Sequence, residues 1–178
     1  SDFILHVGHL GAKRKNSLRF LKAINKIDYP AVIIGNVLNN KEGKICLELI
    51  HSNKNILFLD WVSHSDPILE SAYAAAKVFV LPSLYETPGR SALEAGLAGC
   101  NIAITKYGGT KEYFSNYVNY INPYSIKSIQ SSIINGINSS KSSQLSKHIE
   151  KNFLWEKIAK QTKDVYKKII NTNQNKTS

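Results

Sequence analysis

The sequence predicts an α/β domain: a Rossmann-like, doubly wound parallel sheet of five or six strands with helices on both faces. Short apolar runs recur along the chain, Val78-Phe79-Val80-Leu81 the clearest, and read as strands buried on both sides. Segments with helical apolar spacing separate them, and that alternation favours right-handed parallel crossovers. Polar, glycine-containing turns follow strands, at the edge where open parallel sheets bind their ligands.

A chain of 178 residues is long enough for one domain with a full core and short for two. Hydrophobic residues at 43% and charged residues at 20% place it among ordinary globular chains. No apolar run approaches the length that spans a bilayer. Ser1-Asp2-Phe3 opens straight into a strand with no signal pattern, as at the edge of an excised domain. Cys46 and Cys100 are far apart in apolar surroundings. They read as reduced core thiols and point to a reducing, cytoplasmic compartment. A formal net charge of +10 favours anionic partners such as nucleotide phosphates, acidic lipid headgroups or nucleic acid. The basic residues are scattered and not interleaved with aromatics in a nucleic-acid motif. Most of them therefore read as a solvated surface, and no nucleic acid is expected.

Residues 3–7 form the first expected strand. It ends in Gly8-His9-Leu10-Gly11, and Ala12-Lys13-Arg14-Lys15-Asn16 leads into a helix with Leu18, Leu21, Ile24 and Ile27 on one face, capped by Asn16 or Ser17. A glycine turn and three successive cations thus lie between first strand and first helix, the phosphate-facing corner of such a fold. The alternative for these cations is a solvated helix start. Neither G-x-G-x-x-G nor G-K-[ST] is present there, which argues against NAD and ATP. Residues 31–35 are the second strand, 36–43 a polar loop, 44–52 a short helix and 55–60 the third strand. Asp66-Pro67, a cap followed by proline at the first helical position, opens a helix to residue 77. His64 stands alone in the turn before it and reads as structural or exposed.

Strand 78–81, helix 89–98 and strand 101–105 follow. Gly108-Gly109 is a tight turn into a short helix, 118–121 a last strand and 125–137 a helix. Beyond a Ser/Lys-rich break at 138–143 lie helices at 144–150 and 153–170. The last carries Trp155, Ile158, Ala159, Val165, Tyr166 and Ile169 along one stripe, with Lys157, Lys160, Lys163 and Lys167 beside it. Such a helix can lie on a membrane but more often packs its apolar face on the core, which is the expectation here. Residues 171–178 read as a frayed polar tail. His6, His9, His51, His64 and His148 show no zinc spacing, and no G-x-S-x-G elbow occurs.

The stretch from 78 to 105 organises the rest. Glu86 lies in the loop after the strand, Glu94 in the helix that follows, and Gly89 between them, where a backbone can approach a ligand closely. The start of that helix offers unpaired amides and a positive dipole end to a phosphate. Two plainer readings fit the same residues. Ser91-x-x-Glu94 is also a capping box. Glu86 with Arg90 is also a helical ion pair.

Glu86, seven residues and Glu94, with Gly89 in the loop and LEAGLAGCNIAIT running on from Leu93, is similar to the donor-binding signature of retaining GT-B glycosyltransferases of the group 1 type. The resemblance covers nearly the whole chain, as far as FLWEKIAKQTKDVYKKI. It implies that residues 1–170 are the C-terminal, donor-binding half of such an enzyme, with the N-terminal acceptor domain outside this sequence. It implies a UDP- or GDP-sugar as substrate and a hexose-type sugar moved to a glycan or lipid-linked acceptor, with no metal and no other cofactor. By the same resemblance Glu86 contacts the transferred sugar, Glu94 holds the ribose, and Trp61 and Val62 lie beside the base. Lys15 and the backbone of Gly89, Arg90 and Ser91 stabilise the charge that grows on the diphosphate. Glu86 and Lys15 are the catalytic candidates. The donor-binding set is Gly8, His9, Arg14, Lys15, Trp61, Val62, Glu86, Thr87, Pro88, Gly89, Arg90, Ser91 and Glu94.

Two departures stand out. His9 replaces the arginine that follows the glycine in the family, with Arg14 or Lys13 nearby as substitutes. Thr87-Pro88-Gly89-Arg90-Ser91 stands where Gly-Phe-Gly and an apolar residue are usual. Beyond the donor, the implied partners are the N-terminal domain and, on the basic surface, the inner face of a membrane or a lipid-linked glycan in peripheral contact. The alternatives are a noncatalytic nucleotide-binding module or a sugar-nucleotide epimerase half of the same fold, and more remotely a basic nucleic-acid-binding domain.

Overall fold

A computed structural model describes residues 2–174. Six parallel strands form one sheet: β1 Ile4–Val7, β2 Ala31–Ile34, β3 Ile56–Leu59, β4 Val78–Leu81, β5 Asn101–Thr105 and β6 Asn119–Ile121. Their order is β3-β2-β1-β4-β5-β6. It reverses between β1 and β4, where Ile4 pairs with Val78 and Leu5 with Phe79. A crevice opens at such a switch point, beyond the carboxyl ends of the strands.

Successive side chains of a strand point to opposite faces, so each strand feeds two layers. On one face Ile4, Ile33, Val78 and Val80 meet Phe20 and Leu21 of α1 Ser17–Ile24, Cys46 and Ile50 of α2 Lys41–His51, and Ile129 and Ile133 of α6 Ile126–Asn138. On the other, Leu5, Ile34, Phe79, Leu81, Ile102 and Ile104 meet Leu69 and Tyr73 of α3 Pro67–Ala75, Ala92 and Ala95 of α4 Arg90–Leu97, and Leu145 and Ile149 of α7 Ser143–Asn152. Burial on both faces is why the inner strands β2 and β4 are apolar throughout and do not alternate. Each fully buried Leu, Ile or Phe contributes about 1.5–3 kcal/mol. Cys46 and Cys100 are both free and buried, as expected. A short α5, Thr110–Phe114, follows β5, and α8, Trp155–Gln174, ends the described chain.

Several boundaries differ from expectation for identifiable reasons. Helix α2 begins at Lys41 because Asn40 Oδ1 accepts a 2.8 Å hydrogen bond from the Gly43 amide, which caps it early. Helix α3 stops at Ala75, after the expected Asp66 cap, which accepts from the Ile68 amide at 2.9 Å. Helix α1 stops at Ile24, leaving Ile27 in the following turn, packed against the core. Asn16 takes the expected N-cap position of α1, but neither its side chain nor that of Ser17 caps the helix. Asn16 is buried in the left-handed region (φ 57°), and its amide donates to Pro82 O at 3.0 Å and Pro123 O at 2.8 Å. Ser17 Oγ accepts from the Gly11 amide at 3.1 Å.

The terminal helix runs to Gln174, so the first residues of the expected tail are helical; residues 175–178 lie outside the described residues. Its apolar stripe does not pack on the core: Trp155 is 78% exposed and Tyr166 64%. Both sheet faces are already covered by the other helices. No described helix is long and apolar enough to cross a membrane.

Candidate functional site

A cleft of about 580 Å³ occupies the carboxyl ends of β1, β2, β3 and β4. Every residue expected at the donor site lines it: Gly8, His9, Arg14, Lys15, Trp61, Val62, Glu86, Thr87, Pro88, Gly89, Arg90, Ser91 and Glu94. Lys13, the other substitute for the replaced arginine, is outside the lining. His64 and Tyr73 are in it.

Glu86 is held at both backbone and side chain. Its amide donates to Tyr107 O at 3.2 Å, and its carbonyl accepts from the Gly109 amide at 3.0 Å. Gly108, with φ +89°, makes that approach: a Cβ there would lie 2.2 Å from Glu86 O. Glu86 is 6% exposed, and three groups converge on its Oε1. Ser83 Oγ donates at 2.6 Å, Lys15 Nζ at 2.8 Å, and Arg14 Nη1 forms an ion pair at 3.0 Å. Burial pushes the Glu86 pKa up, but the hydrogen bonds from Lys15 and Ser83 and the charges of Lys15 and Arg14 outweigh it and hold the carboxyl below its ordinary value. The two cations come from a 3₁₀ turn, Lys13–Lys15, and the Glu86–Arg90 helical pair is not formed among the described residues.

Helix α4 starts behind Gly89, which sits at φ +88° and supplies no side-chain cap. The first amides of α4 therefore have no partner within the helix. The capping-box reading of Ser91 and Glu94 fails here. Glu94 takes other partners: Tyr73 Oη donates to Oε2 at 3.0 Å, and His64 Nε2 lies 3.3 Å from Oε1. Burial first, and then the Glu94 charge, push the Tyr73 phenol pKa far up, so it stays a donor. His64, without a partner in the sequence reading, is exposed at the rim with Glu94 as its partner.

Beneath Gly8, His6 is fully buried. Its Nδ1 lies 2.9 Å from Val80 O, its ring is 4.7 Å from that of Phe20, and its Nε2 has no hydrogen-bond partner. Burial lowers its pKa to about 4, opposed by the Val80 bond and helped by the Lys15 charge.

Tyr73, His64 and Ser83 were not legible as site residues. Tyr73 reaches Glu94 across 21 positions from another helix, and nothing in the spacing marks that pairing. Ser83 lies two residues past the end of β4, so a hydroxyl three residues before Glu86 was the available signal. Among the described residues no group of three or more His, Cys, Asp or Glu stands where it could hold a metal ion.

Solved structures share this fold. The chain is similar to sucrose-phosphate synthase from Thermosynechococcus elongatus, with a TM-score of 0.79 and 19% identity over 96% of this chain and 46% of that one. It is similar to the C-terminal domain of the group 1 glycosyl transferase LpcC from Francisella tularensis, with a TM-score of 0.71 and 24% identity over 86% and 87% of the two chains. The class so defined is one Rossmann-like half of a GT-B glycosyltransferase fold. The chain belongs to the glycosyl transferases group 1 family, whose model matches residues 1–154. It is 32% identical over 132 residues to the uncharacterized glycosyltransferase MJ1607 of Methanocaldococcus jannaschii, covering 69% of this chain and 33% of that protein. This chain thus spans about a third of that relative's length and about half of the sucrose-phosphate synthase.

Proposed function

We propose that this chain is the donor-binding half of a retaining glycosyltransferase. The enzyme moves a hexose-type sugar from a UDP- or GDP-sugar to a glycan or lipid-linked acceptor without a metal. One observation carries the reading: Glu86, Lys15, Glu94 and the uncapped start of α4 share a single cleft at the switch point of the sheet.

In this reading Glu94 accepts hydrogen bonds from the ribose hydroxyls, and the base lies beside Trp61 and Val62. The diphosphate rests against Lys15, Arg14 and the first amides of α4. Glu86 orients the sugar. When the glycosidic bond breaks, its electron pair goes to the diphosphate oxygen. Fixed cations and amides stabilise that negative charge where it develops. Glu86 and Glu94 thus differ in role and are not the acid/base pair of a glycosidase.

The acceptor belongs to a second domain, so the chain alone transfers sugar poorly. Incubation with radiolabelled UDP- and GDP-sugars, alone and joined to the acceptor-binding half of the whole protein, tests this. Transfer is expected only in the joined form and only with Lys15 and Glu86 intact. Nucleotide binding without transfer in the joined form would instead identify a noncatalytic module.

A further inference from the structure

The carboxyl edge of the sheet continues past the donor cleft, onto the loops that follow β4, β5 and β6. Each of those loops presents one exposed tyrosine: Tyr85 after β4 (55% exposed), Tyr107 after β5 (39%) and Tyr124 after β6 (60%). Each ring carries a cation. The Arg14 guanidinium is 5.6 Å from the centre of Tyr85, Lys106 Nζ is 5.3 Å from that of Tyr107, and the Arg19 guanidinium is 5.9 Å from that of Tyr124. Tyr107 and Tyr124 are themselves 6.0 Å apart. These three loops are fixed relative to one another. Asn16 ties the loops after β4 and β6 through its bonds to Pro82 and Pro123, and the Glu86–Gly108 bridge ties the loops after β4 and β5. Arg19 is braced by a 2.9 Å bond to Asn16 Oδ1.

The row meets the cleft at Arg14, which also pairs with Glu86 and donates to Tyr85 O at 3.2 Å. Exposed aromatic faces present apolar area at low entropic cost to the C–H faces of sugar rings. Arg19 and Lys106 make no ion pair with a carboxylate among the described residues, so their charge is available to a ligand. We propose that the Tyr85, Tyr107 and Tyr124 row, with Arg14, Arg19 and Lys106, is a track for an anionic glycan chain that ends at Glu86. The proposal rests on the transferase reading: the chain on the track is the acceptor or the growing product, held by this half of the enzyme as well as by the acceptor domain.

The test is calorimetric titration of the 178-residue chain with tetragalacturonate, maltotetraose and a tetrauridylate. Thermal shift by UDP and by GDP is run on the same samples. Tetragalacturonate is expected to bind at least tenfold more tightly than maltotetraose. Tyr124→Ala and Arg19→Ala are each expected to weaken it about fivefold or more, Tyr124→Phe to leave it within twofold, and the nucleotide-induced shift to stay unchanged in all three. Absence of tetragalacturonate binding, equal binding by Tyr124→Ala, or tighter tyrosine-dependent binding of tetrauridylate overturns the track. Absence of a shift with both UDP and GDP in the unmodified chain counts against the donor reading, a separate failure.

Discussion

Lys15 Nζ lies 2.8 Å from Glu86 Oε1, joining two side chains 71 positions apart. The cation proposed for the diphosphate and the carboxylate proposed for the sugar therefore neutralise each other. Diphosphate binding has to divide Lys15 between two anions. Glu86→Gln removes one of them and is expected to tighten UDP or GDP binding by about threefold to tenfold, a charge-assisted bond being worth about 1.5–3 kcal/mol before competition. Transfer by the joined enzyme is expected to fall at the same time. Titration calorimetry reads the first effect; unchanged or weaker nucleotide binding would place Lys15 away from the phosphates.

His6 sets an acid limit on the fold. Its folded pKa of about 4 lies below the ordinary 6.5, so between those values the unfolded chain binds the extra proton. Stability is therefore full above about pH 6.5 and falls as pH drops toward 4, by about 3 kcal/mol at 1.36 kcal/mol per unit. Glu86, held below its ordinary value, adds a loss of the same sign lower down, as pH falls below the usual carboxylate range. Urea denaturation from pH 7 to 4 checks this. His6→Gln is expected to flatten the slope between 6.5 and 4; an equally steep profile in the variant would assign the slope to other groups.

Gly108→Ala separates the Glu86 loop from the rest of the fold. A Cβ at Gly108 meets Glu86 O at 2.2 Å and sits at φ +89°, so the loop must shift. The expected cost exceeds about 1 kcal/mol, and nucleotide-sugar binding is lost beyond what Tm alone explains. A variant that binds like the parent would show that this contact does not position Glu86.

Tyr73→Phe removes the 3.0 Å bond to Glu94 Oε2 without changing the core volume much. One neutral-to-charged hydrogen bond predicts a loss of about 1–2 kcal/mol in nucleotide binding, roughly fivefold to thirtyfold. The discriminating readout is a 2′-deoxy or 3′-deoxy nucleoside diphosphate, against which the variant's loss is expected to be smaller. An equal loss for all nucleotides indicates a purely structural tyrosine.

The layers of the sheet were legible because burial on both faces leaves continuous apolar runs, and Val78-Phe79-Val80-Leu81 is fully buried as read. Glu86 and Glu94 were legible because both lie in one local strand, loop and helix. What was not legible came from elsewhere in the chain. The Tyr73 and His64 contacts with Glu94 join α3 and the turn before it to α4, and the buried Asn16 amide reaches two separate loops. Local spacing carries no trace of such pairings. The stripe on α8 illustrates the opposite failure, since its periodicity gave a helix correctly and said nothing of what covers it.

Titration of the chain with UDP and with GDP, before and after Glu94→Ala, bears most directly on the proposed donor site. One nucleoside diphosphate is expected to bind in preference to the other, and Glu94→Ala to weaken it at least tenfold with the folded baseline intact. Binding that ignores the base, weakens steeply with salt and survives Glu94→Ala would contradict it.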